Sequence, residues 1–181
     1  MNKYPLAISS WDQKEINAIK SVIDSNNYTM GKHVKNYAKK FAEYVGSKYC
    51  VMVNSGSSAN LLVVAALFYT KVPKLNRGDE VIVPAVSWST TYMPLQQYGL
   101  KLKFVDIDLN TLNYNLHELE NAVSDKTKMM LVVNLLGNPN NFDKIDNIFK
   151  NKDIVLIEDN CESLGATYKG RFAGTFGLMG T

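Results

Sequence analysis

Three short stretches of the sequence place small hydroxyl residues, an aromatic ring and carboxylates directly after apolar runs. The first is 54–58, with the sequence NSGSS, which lies between two apolar runs. Glycine and hydroxyl residues at the start of a helix can bind an anion, because backbone N–H groups and the helix dipole face it. A serine that simply caps a helix leaves the same pattern and is the commoner case. The stretch lacks the lysine of a P-loop and the G-x-G-x-x-G spacing of dinucleotide-binding folds.

The second and third stretches follow the apolar runs 80–84 and 154–157. In SWSTT, Trp88 stands among hydroxyl residues and can lie flat against a planar ring, although a packing role is the commoner one for a single tryptophan. In EDNCE, Glu158 and Asp159 are adjacent. A carboxylate at the end of an apolar strand costs free energy unless a positive or hydrogen-bonding group meets it. We expect at least one of the two to face inward, the alternative being solvent-exposed acids that cap the next segment.

The segments around these stretches alternate between helical and strand-like apolar patterns. Helices are predicted at 12–25, 32–45, 59–69, 91–98, 116–123 and 143–150. Strands are predicted at 49–53, 80–84, 101–105, 128–135 and 154–157, and the glycine-rich 168–177 is expected to form a hairpin or irregular excursion. Continuous apolar strands separated by helices predict an α/β fold, a three-layer sandwich whose mainly parallel sheet is covered on both faces.

The carboxyl ends of parallel strands meet at one edge of a sheet, where ligands bind. We therefore expect the three stretches to form one site, with an anion-binding turn, a stacking ring at Trp88 and a buried acid at Asp159. These are the requirements of pyridoxal 5'-phosphate, whose pyridine ring must stay protonated to accept electrons.

Composition narrows the class of protein further. The 181 residues are 46% hydrophobic and 20% charged with a net charge of +3, which suits a single globular domain. No basic stripe pairs with stacking aromatics, so nucleic-acid binding is not expected. No apolar run is long enough to span a bilayer, and no signal peptide is apparent. Two distant cysteines and two isolated histidines predict no disulfide and no metal site, and we expect a cytoplasmic protein.

Five motifs occur in the order and spacing of the DegT/DnrJ/StrS family: NSGSSAN, VIVPAVSWSTTY, KFVDID, NLLGNP and IEDNCESLGATYKGRFAGTFG. With the lead-in GKHVKNYAKKFAEYVGSKYCV, the resemblance runs from about Tyr4 to the last residue. The sequence therefore resembles these fold-type-I pyridoxal-phosphate enzymes, which mostly aminate nucleotide-linked keto-sugars. The resemblance implies a homodimer with the active site at the subunit interface.

The same resemblance implies roles for single residues. Gly56 and Ser57 would donate hydrogen bonds to the cofactor phosphate, Trp88 would stack on the pyridine ring, and Asp159 would pair with the pyridine nitrogen. Glu162 stands where the family commonly has glutamine, near the phenolic oxygen of the cofactor. A carboxylate there would repel a phenolate, so Glu162 is either protonated or serves altered chemistry.

A second departure from the family concerns the Schiff-base lysine, which is expected beyond Thr181. On this pattern, residues 1–181 are a cofactor-binding large domain truncated before the nucleophile, without the small C-terminal domain, and no catalytic residue is expected within the chain. Lys152 and Lys169 stand at the wrong motif positions and are expected at the surface.

Four functions are compatible with these patterns. The first expectation is a sugar aminotransferase that uses glutamate as amino donor and a nucleotide-linked keto-sugar as acceptor. The second is a related 3-dehydratase of a nucleotide-linked 4-keto-6-deoxy sugar, in which histidine replaces the lysine; the spellings SWSTTY and EDNCESLG are closer to that branch. An inactive fragment is the third, and a plain dinucleotide-binding domain, disfavoured by the missing glycine fingerprint, is the fourth.

Overall fold

A computed structural model describes residues 5, 7–71 and 74–181 of the chain; Tyr4, near which the family resemblance begins, lies outside these residues. The helices in this part are α1 (Gln13–Asp24), α2 (Lys32–Val45), α3 (Gly56–Tyr69), α4 (Ser89–Gln97), α5 (Leu116–Ala122) and α6 (Phe142–Phe149). The strands are β1 (Glu80–Pro84), β2 (Lys101–Val105), β3 (Thr127–Val133), β4 (Val155–Asp159), β5 (Thr167–Tyr168), β6 (Arg171–Phe172) and β7 (Met179–Gly180). Within the described ranges, no helix combines the length and apolarity needed to cross a bilayer.

Five strands form a parallel sheet in the spatial order β2-β1-β3-β4-β7. The remaining two, β5 and β6, form a short antiparallel hairpin. This arrangement confirms the predicted α/β class with a mainly parallel sheet. The predicted hairpin at 168–177 is found at 167–172. Because all five strands of the sheet run the same way, their carboxyl ends lie along one edge.

Alternating residues of the strands pack against opposite helical layers. On one face, Val81 and Leu131 pack with Val64 of α3 and Leu95 of α4. On the other face, the neighbouring strand residues pack against α5 and α6; that cluster comprises Ile82, Met130, Val132, Leu119, Phe142 and Ile145. Two covered faces explain why β3 is apolar at every position from Met129 to Val133 rather than at alternate ones. The result is the predicted three-layer arrangement.

The predicted strand at 49–53 is wrong. These residues are neither strand nor helix, and Tyr49 and Val51 are mostly exposed. The apolar pattern of YCVMV suits a strand, but a strand also needs a hydrogen-bonded neighbour, and none of the described strands pairs with this segment. Helix α3 also starts earlier than the predicted 59–69, at Gly56, because Ser55 caps it.

Phe142 provides a test of the layer formed by α6. It is buried, and its ring stacks on Phe176 with centroids 3.9 Å apart. Phe142→Ala should lower the free energy of unfolding by about 3–5 kcal/mol, because it removes a large buried ring and leaves a cavity. Phe104→Ala, at an exposed ring of β2, should cost less than about 1.5 kcal/mol. Urea denaturation of the intact protein measures both, and equal losses would contradict this account of the core.

Candidate functional site

The carboxylate of Asp159 is the point at which three segments of the chain meet. Asp159 is the last residue of β4 and is 3% exposed. Its Oδ2 accepts hydrogen bonds from Asn60 Nδ2 of α3 at 2.9 Å and from Thr91 Oγ1 of α4 at 3.0 Å. Its Oδ1 accepts from the backbone N–H of Cys161 at 3.3 Å. The structure therefore brings the stretches 54–58, 87–91 and 158–162 together at one edge of the sheet.

The donors around Asp159 are themselves oriented by hydrogen bonds. Thr181 Oγ1 donates to Asn60 Oδ1 at 2.7 Å, so the amide NH₂ of Asn60 is turned toward Asp159. The same NH₂ also donates to the carbonyl of Thr90 at 3.3 Å. Thr91 has one hydroxyl proton, and because that proton goes to Asp159, the hydroxyl of Ser87, 2.8 Å away, must donate to Thr91.

The carboxylate of Asp159 receives only neutral donors. Among the described residues, no lysine, arginine or histidine nitrogen forms an ion pair with it. Burying a charge costs several kcal/mol, of which hydrogen bonds from amides and hydroxyls recover only a part. The site is therefore electrostatically suited to a ligand that brings a positively charged N–H group to Asp159.

The start of α3 has the properties of an anion site. Ser55 is the N-cap, and its Oγ accepts from the N–H of Ser58 at 3.1 Å, so the capping alternative is correct for Ser55. It does not exclude anion binding, because the N–H groups of Gly56 and Ser57 donate to no acceptor among the described residues. A Cβ built on Gly56 would meet no atom within 4 Å, so the space beside its Cα is open.

The helix also sets the distance between this anion site and the acid. Asn60, which donates to Asp159, follows Gly56 by four residues of α3. At a rise of about 1.5 Å per residue, the two positions are roughly 6 Å apart along the axis. An anionic group at Gly56 and Ser57 and a basic atom at Asp159 could therefore belong to one small ring compound.

Trp88 lies at the N-cap of α4, three residues before Thr91. Its side chain is 74% exposed, so the alternative of a packing tryptophan does not hold. An exposed aromatic ring at the start of the helix that carries Thr91 is available to stack on a ligand.

Glu162 lies just past the site, on the chain that follows β4. Its Oε2 accepts the backbone N–H of Leu136 at 2.6 Å, and Leu136 has a left-handed conformation with φ of 52°. Glu162 thus holds the turn after β3. Its expected position beside a phenolic oxygen stays a prediction, as do the cofactor contacts of Gly56, Ser57, Trp88 and Asp159.

Sequence patterns missed the residues that orient Asp159. Asn60 and Thr91 are buried polar residues within helices, and Asn60 stands in an otherwise apolar stretch. A buried amide in the apolar stretch 59–69 was the available signal, because such a group needs a hydrogen-bond partner. No local sequence pattern indicates that Thr181 donates to Asn60, because this hydrogen bond depends on the pairing of β7 with β4.

Asp159 also influences a neighbouring thiol. Desolvation and the negative charge of Asp159 raise the pKa of Cys161 to about 11. The thiol is therefore almost wholly protonated at neutral pH, and it is poorly suited to act as a nucleophile.

The chain resembles curated proteins over its whole length. It is 66% identical over 181 residues to a GDP-4-keto-6-deoxy-D-mannose 3-dehydratase of Yersinia pseudotuberculosis, covering 100% of this chain and 46% of the relative. It is 65% identical to the enzyme of that name from Escherichia coli O55:H7, with 100% and 47% covered. A dTDP-3-amino-3,6-dideoxy-alpha-D-galactopyranose transaminase of Aneurinibacillus thermoaerophilus is 33% identical over 166 residues, with 91% and 44% covered. The chain thus spans about half the length of the curated relatives it matches.

Solved structures give the same picture. A mutant GDP-4-keto-6-deoxymannose-3-dehydratase with bound GDP-perosamine superposes with a TM-score of 0.97 at 65% identity, covering 98% of this chain and 46% of that one. A structure of that dehydratase with a trapped PLP-glutamate geminal diamine has a TM-score of 0.95 at 64% identity, covering 97% and 46%.

A family model matches residues 9–181, which is nearly the whole chain. The enzymes of this family depend on pyridoxal phosphate and include both dehydratases and aminotransferases. Family model, relatives and fold agree, and the chain belongs to the DegT/DnrJ/EryC1/StrS aminotransferase family.

Proposed function

We propose that this chain forms the cofactor-binding part of a pyridoxal-phosphate-dependent 3-dehydratase of GDP-4-keto-6-deoxymannose. The observation that carries the proposal is the identity of 65–66% with two such dehydratases over all 181 residues. The aminotransferase that the sequence first suggested has support at the level of the family, from relatives such as the 33% identical transaminase. It is the second candidate function.

The residues of the site fit the cofactor. Pyridoxal phosphate supplies an electron sink, provided that its pyridine nitrogen is protonated. Gly56 and Ser57 would bind the phosphate through backbone N–H groups that have no acceptor among the described residues. The indole of Trp88 would cover one face of the ring. Asp159, which is buried and surrounded by neutral donors, would keep the proton on the pyridine nitrogen, because its negative charge favours the protonated form.

The partners follow from the same relatives. Structures of the dehydratase contain a GDP-linked sugar in one case and a PLP-glutamate adduct in the other. We therefore propose a GDP-linked keto-sugar as substrate and glutamate as amino donor. A cytoplasmic homodimer remains our expectation for the intact protein.

Labelled glutamate separates the two candidate functions. The intact protein is supplied with pyridoxal phosphate, GDP-4-keto-6-deoxymannose and nitrogen-15-labelled glutamate, and the sugar product is analysed by mass spectrometry. A dehydratase yields a sugar without the C3 hydroxyl and without the label. A sugar that keeps its C3 hydroxyl and carries the label would establish the aminotransferase instead. An unchanged sugar would contradict both.

Two substitutions test the cofactor site. Asp159→Asn should lower turnover on the order of 10²-fold, because the charge that holds the pyridine proton is lost. Trp88→Ala should raise the Kd of pyridoxal phosphate roughly 5- to 10-fold, as expected for loss of one stacking contact. Trp11→Ala is the matched control, since Trp11 is 65% exposed but lies before α1. Cofactor titration by absorbance measures both Kd values, and equal Kd values for the two tryptophan variants would contradict the role of Trp88.

The pKa of Cys161 reports on the charge of Asp159. Desolvation and the charge of Asp159 together raise the pKa to about 11, so Asp159→Asn should lower the pKa part of the way toward its ordinary value and speed alkylation by iodoacetamide near pH 9. Cys50 is the internal control, because burial alone raises its pKa. Peptide mass spectrometry after timed alkylation gives both rates against pH. If Asp159→Asn leaves the pH dependence of Cys161 alkylation unchanged, Asp159 carries no charge next to this thiol.

A further inference from the structure

The site described so far leaves Glu158 without a function. Its side chain is 0% exposed and lies on the opposite face of β4 from Asp159, because successive strand residues alternate. Oε1 accepts the backbone N–H of Gly177 at 2.7 Å, and Oε2 accepts that of Gly174 at 2.7 Å. Asn134 Nδ2 also donates to Oε2, at 3.3 Å. Both carboxylate oxygens of Glu158 therefore hold residues 174–177, the GTFG segment.

Glycine is required at both positions that Glu158 binds. A Cβ on Gly177 would lie 2.5 Å from the carbonyl oxygen of Leu156, and a Cβ on Gly174 would overlap the side-chain amide of Asn160. Gly174 also has φ of +90°, a backbone conformation that residues with a side chain rarely adopt. The GTFG segment thus lies directly against the backbone of β4, at a distance that the carboxylate of Glu158 can bridge.

The same segment leads into β7 and then to Thr181. The N–H of Thr181 donates to the carbonyl of Glu158 at 2.9 Å, and the N–H of Asn160 donates to the carbonyl of Thr181 at 3.0 Å. These bonds fix the backbone of Thr181 beside β4, and its hydroxyl donates to Asn60, which donates to Asp159. Together with the backbone between Gly177 and Thr181, these hydrogen bonds connect the carboxylate of Glu158 to that of Asp159.

We propose that Glu158 is a positioning residue for Asp159, because it fixes the GTFG segment that brings the Thr181 hydroxyl to Asn60. Without this support, the amide of Asn60 can rotate and present its oxygen to Asp159, which would repel the carboxylate. The consequence for the cofactor rests on the proposed function, whereas the hydrogen bonds do not.

Glu158→Gln in the intact protein tests the first step. The glutamine keeps the shape of the side chain, but its NH₂ group must face either Gly177 or the pair Gly174 and Asn134, all of which are donors. Hydrogen exchange of the Gly174 and Gly177 amides, followed by NMR without cofactor, should quicken about 10-fold or more, while exchange in α6 stays the same. Glu120→Gln, at an exposed acid of α5, is the matched control. Unchanged exchange at both glycines would overturn the proposal.

Thr181→Val tests the second step, since it removes the hydroxyl and keeps the side-chain shape. Both Glu158→Gln and Thr181→Val should shift the side-chain amide signals of Asn60 in the cofactor-free protein, and only Glu158→Gln should alter Gly174 and Gly177. Asn60 signals unmoved by either variant would overturn the relay to Asp159. If Glu158→Gln does not fold, Glu158→Asp, whose shorter side chain cannot reach both amides, replaces it.

The cofactor gives the last readout. Both variants should raise the Kd of pyridoxal phosphate several-fold, and the double variant should bind no more weakly than Glu158→Gln alone, because the two residues act in one series. Additive losses would mean that Glu158 acts independently of Thr181 and would overturn the proposal. If the unaltered protein binds no pyridoxal phosphate, the proposed function fails, and the exchange rates and Asn60 signals still decide whether Glu158 positions Asp159.

Discussion

The buried charge of Asp159 is the constraint on which the site depends. Removing a carboxylate from water costs several kcal/mol, and only well-placed donors offset that cost. Here the donors come from α3, from α4 and from the chain after β4. The carboxylate can stay buried only when these three elements are in place. The packing of α3 and α4 on the sheet therefore also assembles the site.

Glu158 and Asp159, at the end of β4, bind groups on opposite faces of the sheet. Alternation along β4 sends Asp159 toward α3 and α4 and Glu158 toward the GTFG segment. Each carboxylate is met by N–H or O–H donors, and the absence of side chains at Gly174 and Gly177 lets the backbone come close enough to supply two of them. The acid pair therefore ties the segment before β7 to the helices across the sheet.

The fold alone does not decide the reaction. A solved dehydratase and a solved aminotransferase both superpose closely on this chain, so architecture supports either function. What favours the dehydratase is the identity of 65–66% along the whole chain. Glu162 is bonded to the turn at Leu136, so its carboxylate has a structural contact as well as its expected place near the cofactor.

The sequence by itself determined the fold class and the three stretches that meet at the site. Apolar periodicity is local, so it placed most helices and strands, and the carboxyl-edge rule for parallel sheets then brought Gly56, Trp88 and Asp159 to one edge. It failed at 49–53, because a strand also requires a neighbour with which to pair. Only the tertiary structure revealed Asn60, Thr91 and Thr181 around Asp159 and gave Glu158 its partners. Those hydrogen bonds join residues far apart in the chain, and no local pattern encodes which distant donor a buried carboxylate will meet.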